Sequence, residues 1–277
     1  LFFTQNACYK KHKKHKVKGF MLHSTGANNP YLSRYVGPDD GIVGPNKYNN
    51  HWNQPMSRNV CAHGFIGYDK NKVVRTYQVL PWDIEGWHSG SGSKGYAANA
   101  NQNGYIGVEI CEDSLTNKQY FDEAYRQAVE LCAFLAEKYG FPVSSTTVID
   151  HAEGHKLGIA SNHVDVGHWF SRHGKSMNTF RNDIKAYVKG DDMADYSVVT
   201  NSFADAAIVE FLVKEVEAKY NKPVSVFFRS SKLEQLKFKT VYVVGGTSEG
   251  IKGDNVFLLS GKDRLETAAK VKDFLKK

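Results

Sequence analysis

Residues 151–170 read HAEGHKLGIASNHVDVGHWF and hold four histidines, two acidic residues and three glycines after a short apolar run. Zinc is bound tetrahedrally by imidazole, thiolate or carboxylate groups. A catalytic zinc site uses three such protein ligands and leaves the fourth position to water. The stretch therefore predicts catalytic metal chemistry, which requires that three of these groups converge in the fold.

Two apolar runs that read as β-strands carry a histidine at or near their ends. One run, TTVIDH, ends in His151, and the other, VKGFMLHST, contains His23. If the two strands meet at one edge of a sheet, their imidazoles can lie close together. The glycines and polar residues after His151 predict an irregular loop that folds back and returns His163 and Asp165. A carboxylate would complete the set of three ligands.

At these residues the chain resembles the type 2 N-acetylmuramoyl-L-alanine amidases, especially the endolysins of phages that infect Gram-positive bacteria. The resemblance extends over about residues 17–188 and includes the segments AEGHKLGIASNH, HWF and GKSM. It implies a zinc ion held by His23, His151 and Asp165. It also implies hydrolysis of the amide bond between N-acetylmuramic acid and L-alanine in peptidoglycan.

Two further positions match catalytic residues of that family. Glu109, in the run YIGVEICED, matches the acid/base position. Many relatives carry an oxyanion-stabilising lysine two residues before the third ligand, and this chain has His163 there. From the residues alone, Glu109 has two interpretations. A carboxylate buried beside Val108 and Ile110 needs a nearby cation to offset its desolvation, whereas strand alternation also allows a position that faces solvent.

Two tryptophans and a further histidine are candidates for contact with the substrate. Trp52 lies in a long loop, residues 27–59, that is rich in Pro, Gly and Asn. Such loops are usually functional or mobile, although an aromatic side chain that holds the loop down is an equally good explanation. Trp87 and His88 resemble the family's Trp-His pair before the central strand, so we expect His88 to border the metal. His63 is expected to be a hydrogen-bonded structural histidine.

The remaining pattern predicts an α/β protein of two domains. The first, residues 1–189, is expected to have a central mixed sheet flanked by helices, preceded by a polar N-terminal lead-in. It should contain a hairpin over residues 60–80 and an amphipathic helix over residues 118–139. A polar linker, residues 190–196, should precede a smaller α/β domain, residues 197–277. Strands and helices alternate there, which predicts a mostly parallel sheet.

This second domain resembles the type 2 cell-wall-binding module of clostridia and their relatives. The resemblance lies in SVVTNSFADAAIVEFL, VYVVGG and LSGKDRLETAAKV. It implies that the domain holds the protein on an anionic cell-wall polymer. Surface proteins usually carry three copies, so the single copy predicts a homo-oligomer, with a trimer ahead of a dimer. Helix capping and ion pairing is the alternative explanation for Asp263, Arg264 and Glu266.

The distribution of charge argues against a nucleic-acid-binding protein, and the spacing of the cysteines indicates their redox state. The net charge is +7, and six lysines lie between residues 10 and 18. Clustered cations attract polyanions, but the cluster lacks the interleaved aromatic residues of single-strand binders, so no nucleic acid partner is expected. The four cysteines form no CxxC pair. We expect them to be reduced and mostly buried.

Neither a signal peptide nor a membrane span is visible in the sequence. We therefore expect an endolysin that is made in the host cytoplasm and acts on the bacterial cell wall. The alternative is a peptidoglycan-binding protein that keeps the fold but does not hydrolyse its ligand. The histidine at position 163, in place of lysine, is the feature that favours this alternative.

Overall fold

The chain divides into two compact units, Leu1–Lys185 and Ala186–Lys277. The computed structural model describes residues 1–55, 60–189, 195–201, 205–229, 233 and 237–276. Most of the predicted linker lies outside the described residues, so the predicted domain boundaries stay predictions. Both units are α/β, which confirms the predicted fold class. Among the helices that the structure describes, none has the length and apolar character needed to cross a membrane.

The first unit contains a five-stranded mixed sheet. Its strands are β1 (Gly19–Ser24), β2 (Gly64–Tyr68), β3 (Val74–Gln78), β4 (Tyr105–Ile110) and β5 (Val148–Asp150). Their order is β3-β2-β4-β1-β5, and only the pairing of β2 with β3, the predicted hairpin, is antiparallel among the described strands of this sheet. Every residue of β1 is buried, as expected for an interior parallel strand. The carboxyl ends of β4, β1 and β5 therefore lie along one edge.

The α-helices described between Leu1 and Lys189 are α1 (Ala7–Lys11), α2 (Lys118–Tyr139), α3 (His151–Lys156), α4 (Gly167–Phe170) and α5 (Met177–Lys189). Helix α2 has the predicted bounds because both of its ends carry local signals. The Asn117 side chain accepts a hydrogen bond from the Tyr120 backbone N–H, which caps the first turn. Gly140 ends the helix in the left-handed conformation, with φ of 71°, where glycine is favoured.

The N-terminal segment, predicted to be a polar lead-in, is mostly exposed, but two of its residues are buried and anchor it. Phe3 is fully buried and its ring lies 6.1 Å from that of Phe65 on β2. The buried side chain of Asn6 donates hydrogen bonds to the carbonyl groups of Trp52 (3.2 Å) and Val60 (2.9 Å). The segment is polar on average, so its composition does not reveal these two buried residues. Their long-range contacts hold it against the rest of the first unit.

His151 begins a helix, whereas the sequence predicted that it would end a strand and open an irregular loop. Strand β5 stops at Asp150, whose side chain accepts a hydrogen bond from the backbone N–H of Glu153 at 2.7 Å. This contact caps α3, as short acidic side chains commonly do. The chain therefore turns directly from the sheet into a helix, and His151 lies in its first turn.

The second unit contains a four-stranded parallel sheet with order β7-β6-β8-β9. Its strands are β6 (Tyr196–Thr200), β7 (Val224–Phe228), β8 (Lys237–Val244) and β9 (Lys252–Leu259). The α-helices described here are α6 (Ala206–Tyr220) and α7 (Arg264–Leu275). The expectation of a mostly parallel sheet is confirmed.

Acidic side chains cap the last helix of the second unit. Asp263 Oδ1 accepts a hydrogen bond from the backbone N–H of Glu266 at 2.9 Å. In return, Glu266 Oε2 accepts one from the backbone N–H of Lys262, also at 2.9 Å. This arrangement differs from a capping box in that the Glu266 side chain reaches the N–H of the residue before the N-cap rather than that of the N-cap itself. Capping, the alternative explanation for these two acidic residues, is therefore confirmed.

Candidate metal centre

The ends of three adjacent parallel strands bring candidate catalytic residues to one edge of the first sheet. His23 is the fifth residue of β1, and Glu109 lies directly opposite it on β4. Paired residues on neighbouring strands project to the same face of a sheet, so these two side chains share a face. His151 follows the last residue of β5. This placement follows from the parallel order β4-β1-β5.

The three predicted metal ligands form a compact cluster. His23 Nδ1 and His151 Nδ1 each lie 2.9 Å from the same oxygen, Asp165 Oδ2. The ligand atoms of these three residues all lie within 4.8 Å of one another, and both histidines are buried. Burial opposes ionisation of Asp165, but His151 and His23, which donate hydrogen bonds to it whenever their Nδ1 atoms carry protons, outweigh that effect and hold its pKa well below the usual range.

Asp165 is held in place by the aromatic residues that follow it. Its backbone adopts a left-handed conformation, with φ of 42°, which aspartate tolerates better than most residues. Trp169 and Phe170 on α4 are fully buried. The ring of Trp169 lies 5.4 Å from Phe121, and the ring of Phe170 lies 5.2 Å from Tyr125, both on α2. These contacts fix the end of the loop from which the carboxylate projects.

His88 determines which nitrogen of a neutral His23 carries the proton. The Nε2 of His88 lies 3.0 Å from the Tyr105 carbonyl oxygen, which can only accept a hydrogen bond, so this nitrogen carries a proton. Burial lowers the pKa of His88 and keeps its ring neutral. Its Nδ1 therefore accepts, at 3.0 Å, a hydrogen bond from His23 Nε2–H. In a neutral His23 the lone pair is then on Nδ1, directed at Asp165.

A glycine on β4 allows the close approach of His88 to the sheet. A Cβ atom at Gly107 would lie 2.3 Å from the His88 ring, far inside van der Waals contact. Any side chain at this position would displace the ring from His23. The predicted neighbourhood of His88 and the metal ligands is therefore present, with both ring nitrogens of His88 hydrogen-bonded inside the protein.

Ser161 was not predicted from the sequence, although it connects two of the predicted residues. Its Oγ lies 3.1 Å from His151 Nε2 and 3.1 Å from His163 Nδ1. The exposed ring of His163 has its centre 4.6 Å from that of His151. A serine in a polar loop gives no sequence signal of this kind, because the contacts depend on how the loop folds.

Glu109 is held at the site without a hydrogen bond to its buried oxygen. Among the described residues, none is a partner of Glu109 Oε2. Burial raises the pKa of Glu109 well above its usual value, and the negative charges of Asp165 and Glu112 raise it further. Glu112, which was not predicted from the sequence, accepts a hydrogen bond from Ser24 at 2.5 Å and pairs with His168 at 3.0 Å.

These side chains open into a cleft of about 470 Å³. Its described lining residues are His23, Val60, Trp87, His88, Gly90, Glu109, His151, Ser161, His163 and Asp165. Trp52, predicted to contact the substrate, is not among the described residues that line the cleft. Its ring packs edge-on against Phe65 at 5.1 Å. The structure thus brings together all the predicted site residues except Trp52, and their roles stay predictions.

His63 is a structural histidine, as predicted. It is fully buried, and its Nε2 donates a hydrogen bond to the Ile84 carbonyl at 2.8 Å. Its Nδ1 accepts one from the Gly107 backbone N–H at 3.0 Å. Burial lowers the pKa of His63 to about 3, with a further contribution from His15. Both ring nitrogens are hydrogen-bonded within the protein, so His63 has a structural role and does not supply a metal ligand.

Comparison with known proteins assigns the chain to a family. No curated protein matches the chain. Solved structures that it resembles include PlyL (18% identity, TM-score 0.44, 64% of this chain and 91% of that chain). Another is the Staphylococcus aureus hydrolase AmiA in complex with its ligand, with 18% identity, a TM-score of 0.46 and coverage of 65% of this chain and 76% of that chain. A third is the C-terminal domain of a mutant of the CTP1L endolysin, with 28% identity, a TM-score of 0.22 and coverage of 30% of this chain and 95% of that chain. Residues 13–168 match the N-acetylmuramoyl-L-alanine amidase family model, and the chain therefore belongs to that family.

Proposed function

We propose that the chain is a zinc-dependent endolysin that hydrolyses the amide bond between N-acetylmuramic acid and L-alanine in peptidoglycan. The observation that carries this proposal is the convergence of His23 Nδ1 and His151 Nδ1 on one oxygen of Asp165, each at 2.9 Å. Membership of the amidase family supports the reaction. The metal and the roles of the individual residues rest on the chemistry of the site.

The donor atoms fit a zinc ion. If His23 and His151 are neutral and protonated on Nε2, both Nδ1 lone pairs face an ionised carboxylate. Three electron-rich atoms within 4.8 Å repel one another unless a cation lies between them. Zinc accepts imidazole nitrogen and carboxylate oxygen together and keeps an open position for water in catalytic sites. We therefore propose His23, His151 and Asp165 as its ligands.

When bound, zinc would lower the pKa of a coordinated water and polarise the substrate carbonyl. Glu109 Oε2 is suited to accept a proton from the attacking water, because it is buried at the cleft and makes no other hydrogen bond among the described residues. The same atom would then deliver the proton to the leaving nitrogen of L-alanine, as general acid–base catalysis requires.

His163 and Trp87 occupy the rim of the cleft. We propose that His163, which is exposed, donates a hydrogen bond to the carbonyl oxygen as negative charge develops there. Trp87 would form an apolar wall for the substrate. His88 would act on the substrate indirectly, by holding the His23 ring, because both of its nitrogens are hydrogen-bonded within the protein. Contact of Trp52 with the substrate stays a prediction.

We also propose that the second unit is a cell-wall-binding module that holds the enzyme on an anionic wall polymer, and that it forms a homo-oligomer. Lysine and arginine outnumber aspartate and glutamate in residues 195–277, and a positive balance favours polyanions. In this proposal the enzyme is made in the cytoplasm of the phage host and acts on the wall.

Replacement of a proposed ligand tests the metal centre. Asp165→Ala should lose both bound zinc and lysis of Gram-positive cell walls, because two imidazoles alone hold zinc poorly. Asp165→Cys should keep zinc, since thiolate is also a good ligand. Metal content and wall turbidity are measured on the same samples. Full activity in zinc-free Asp165→Ala would refute the metal centre, and zinc binding without any lysis by the wild type would favour the non-catalytic alternative.

A further inference from the structure

Two of the four free cysteines meet where the N-terminal segment packs on the first unit. Cys8 lies on α1 and is half-buried, whereas Cys61, which precedes β2, is fully buried. Cys8 packs against the apolar cluster that contains Cys61, and a hydrogen bond joins the two thiols. A disulfide requires two side chains that already approach each other. This contact brings the two sulfur atoms within reach of one another.

The backbone around both cysteines is fixed by hydrogen bonds. Asn6 Oδ1 accepts one from the Cys8 backbone N–H at 2.9 Å, and Asn6 Nδ2 donates one to the carbonyl of Val60 at 2.9 Å. The next residue, Cys61, exchanges two backbone hydrogen bonds with Trp87, at 3.1 and 2.9 Å. The meeting of the two thiols therefore follows from how the chain is held on both sides of them.

The two thiols differ in acidity. The hydrogen bond with Cys61 lowers the pKa of Cys8. Burial opposes this change, and the charge of Lys11 adds to it. The same hydrogen bond, together with burial, raises the pKa of Cys61 well above its usual value. The thiolate is the nucleophile in thiol–disulfide exchange, so Cys8 is the thiol suited to attack and Cys61 the thiol suited to react second.

Access from solvent assigns the same order. Cys8 lines a cavity of about 380 Å³, together with Lys11, Trp87 and Tyr96 among others. Cys61 is 0% exposed and is not among the described residues that line this cavity. A small oxidant can therefore reach the sulfur of Cys8, and the sulfur of Cys61 is left to react with Cys8.

We propose that Cys8 and Cys61 form an intramolecular disulfide when the protein meets a low-molecular-weight disulfide such as oxidised glutathione. The Cys8 thiolate attacks one sulfur of the oxidant, which expels one thiolate and leaves a mixed disulfide on Cys8. Cys61 then loses its proton to solvent, and its sulfur attacks that of Cys8 and expels the second thiolate. The two protein thiols are oxidised to one disulfide, and the oxidant is reduced to two thiols.

This bond would tie the N-terminal segment covalently to the residue that pairs with Trp87, one wall of the cleft. A disulfide that closes a loop of about 50 residues stabilises a protein chiefly by restricting the unfolded chain. The cytoplasm keeps thiols reduced, whereas disulfides persist outside the cell. An enzyme that passes from the cytoplasm to the wall would thus gain the bond where it acts. The pairing itself does not depend on what the cleft hydrolyses.

Mapping of the oxidised full chain tests the pairing. The protein is incubated with oxidised glutathione, its remaining thiols are alkylated in denaturant, and it is digested with trypsin without reductant for mass spectrometry. The expected product joins LFFTQNACYK (residues 1–10) to NVCAHGFIGYDK (residues 59–70), with a mass two hydrogen atoms below their sum. Cys132→Ala, which removes a buried thiol on α2, is the control and should form the same cross-link.

Variants of the two cysteines test their order of reaction. Cys61→Ala should accumulate a stable glutathione adduct on Cys8, because the second thiol is missing. Cys8→Ser, at a half-buried position, should take up no glutathione at Cys61. Oxidation of the wild type should raise Tm by about 5–10 °C over the reduced protein. Oxidant should leave the Tm of Cys8→Ser unchanged.

The outcomes separate this proposal from the proposed function. A wild type that forms no cross-link, that keeps glutathione on Cys8 beside a reduced Cys61, or that links Cys8 of two chains would refute the pair. A cross-link that uses Cys111 or Cys132 in place of Cys61 would also refute it. Failure of both the reduced and the oxidised protein to cleave peptidoglycan would instead count against the proposed function.

Discussion

At the scale of single residues, Glu109 was predicted from the sequence as the catalytic acid/base, and the structure shows what surrounds its carboxylate. A carboxylate in an apolar strand is unfavourable unless a cation offsets its desolvation. The structure sets it opposite His23, and its Oε2 has no hydrogen-bond partner among the described residues. Burial raises its pKa, which suits a group that must take up a proton and release it again.

We expect Glu109→Gln to lower kcat at least about 100-fold, the lower range for loss of a general acid–base group. Zinc content should not change, because the amide replaces a side chain that is not a proposed ligand. Glu123→Gln, on α2, is the control and should retain full activity. Product formation from purified walls and metal content are measured together. Retention of normal kcat by Glu109→Gln would exclude the proposed role.

At the scale of elements, features that depend on neighbouring residues could be predicted from the sequence. Contacts between residues far apart in the sequence could not. The bounds of α2 follow from its apolar spacing and its two caps, all of which lie within the segment. The meeting of His23 with His151 follows from two strand patterns. In contrast, Phe3 and Asn6 are anchored by residues about 50 or more positions away. The contacts of Ser161 depend on a loop conformation that residue type does not encode.

The buried His63 should make the free energy of unfolding depend on pH. His63 is buried neutral with a pKa of about 3, whereas in the unfolded chain it titrates near its ordinary value of about 6.5. Between these values the unfolded state binds more protons, so the free energy of unfolding should fall as pH decreases. One such histidine contributes up to about 1.4 kcal/mol per pH unit in this window.

Tryptophan fluorescence during urea unfolding measures this effect in the first unit, because all four tryptophans lie there. His63→Gln should have a shallower pH dependence between about pH 6 and 4. It should also be less stable at neutral pH, because it disturbs the hydrogen bonds with Ile84 and Gly107. The exposed His12→Gln serves as the control. Identical slopes for the wild type and His63→Gln would contradict the argument.

At the scale of the whole molecule, the second unit exposes apolar side chains on a strand at the edge of its sheet. Val256, Phe257 and Leu258 on β9 are 38%, 36% and 48% exposed. Exposed apolar edge strands favour pairing with another chain. We therefore expect the protein to self-associate through the second unit, with a trimer ahead of a dimer, which would raise its avidity for a repetitive wall polymer.

Light scattering after size exclusion should give a mass above 31.1 kDa for the full chain. Leu258→Lys should reduce that mass to the monomer value, because a charge on the edge strand opposes pairing. Val73→Lys, at an exposed apolar position in the first unit, should leave the oligomer intact. A wild type that is monomeric at micromolar concentration would rule out the proposed assembly.

We propose that this chain hydrolyses one amide bond of peptidoglycan with zinc held by His23, His151 and Asp165. The most direct test treats purified Gram-positive peptidoglycan with the full chain and analyses the soluble products by mass spectrometry. We expect new amino-terminal L-alanine, no new reducing sugar, loss of the reaction after chelation and its return with zinc. New reducing ends, or undiminished release of L-alanine amino groups by the zinc-free protein, would contradict it.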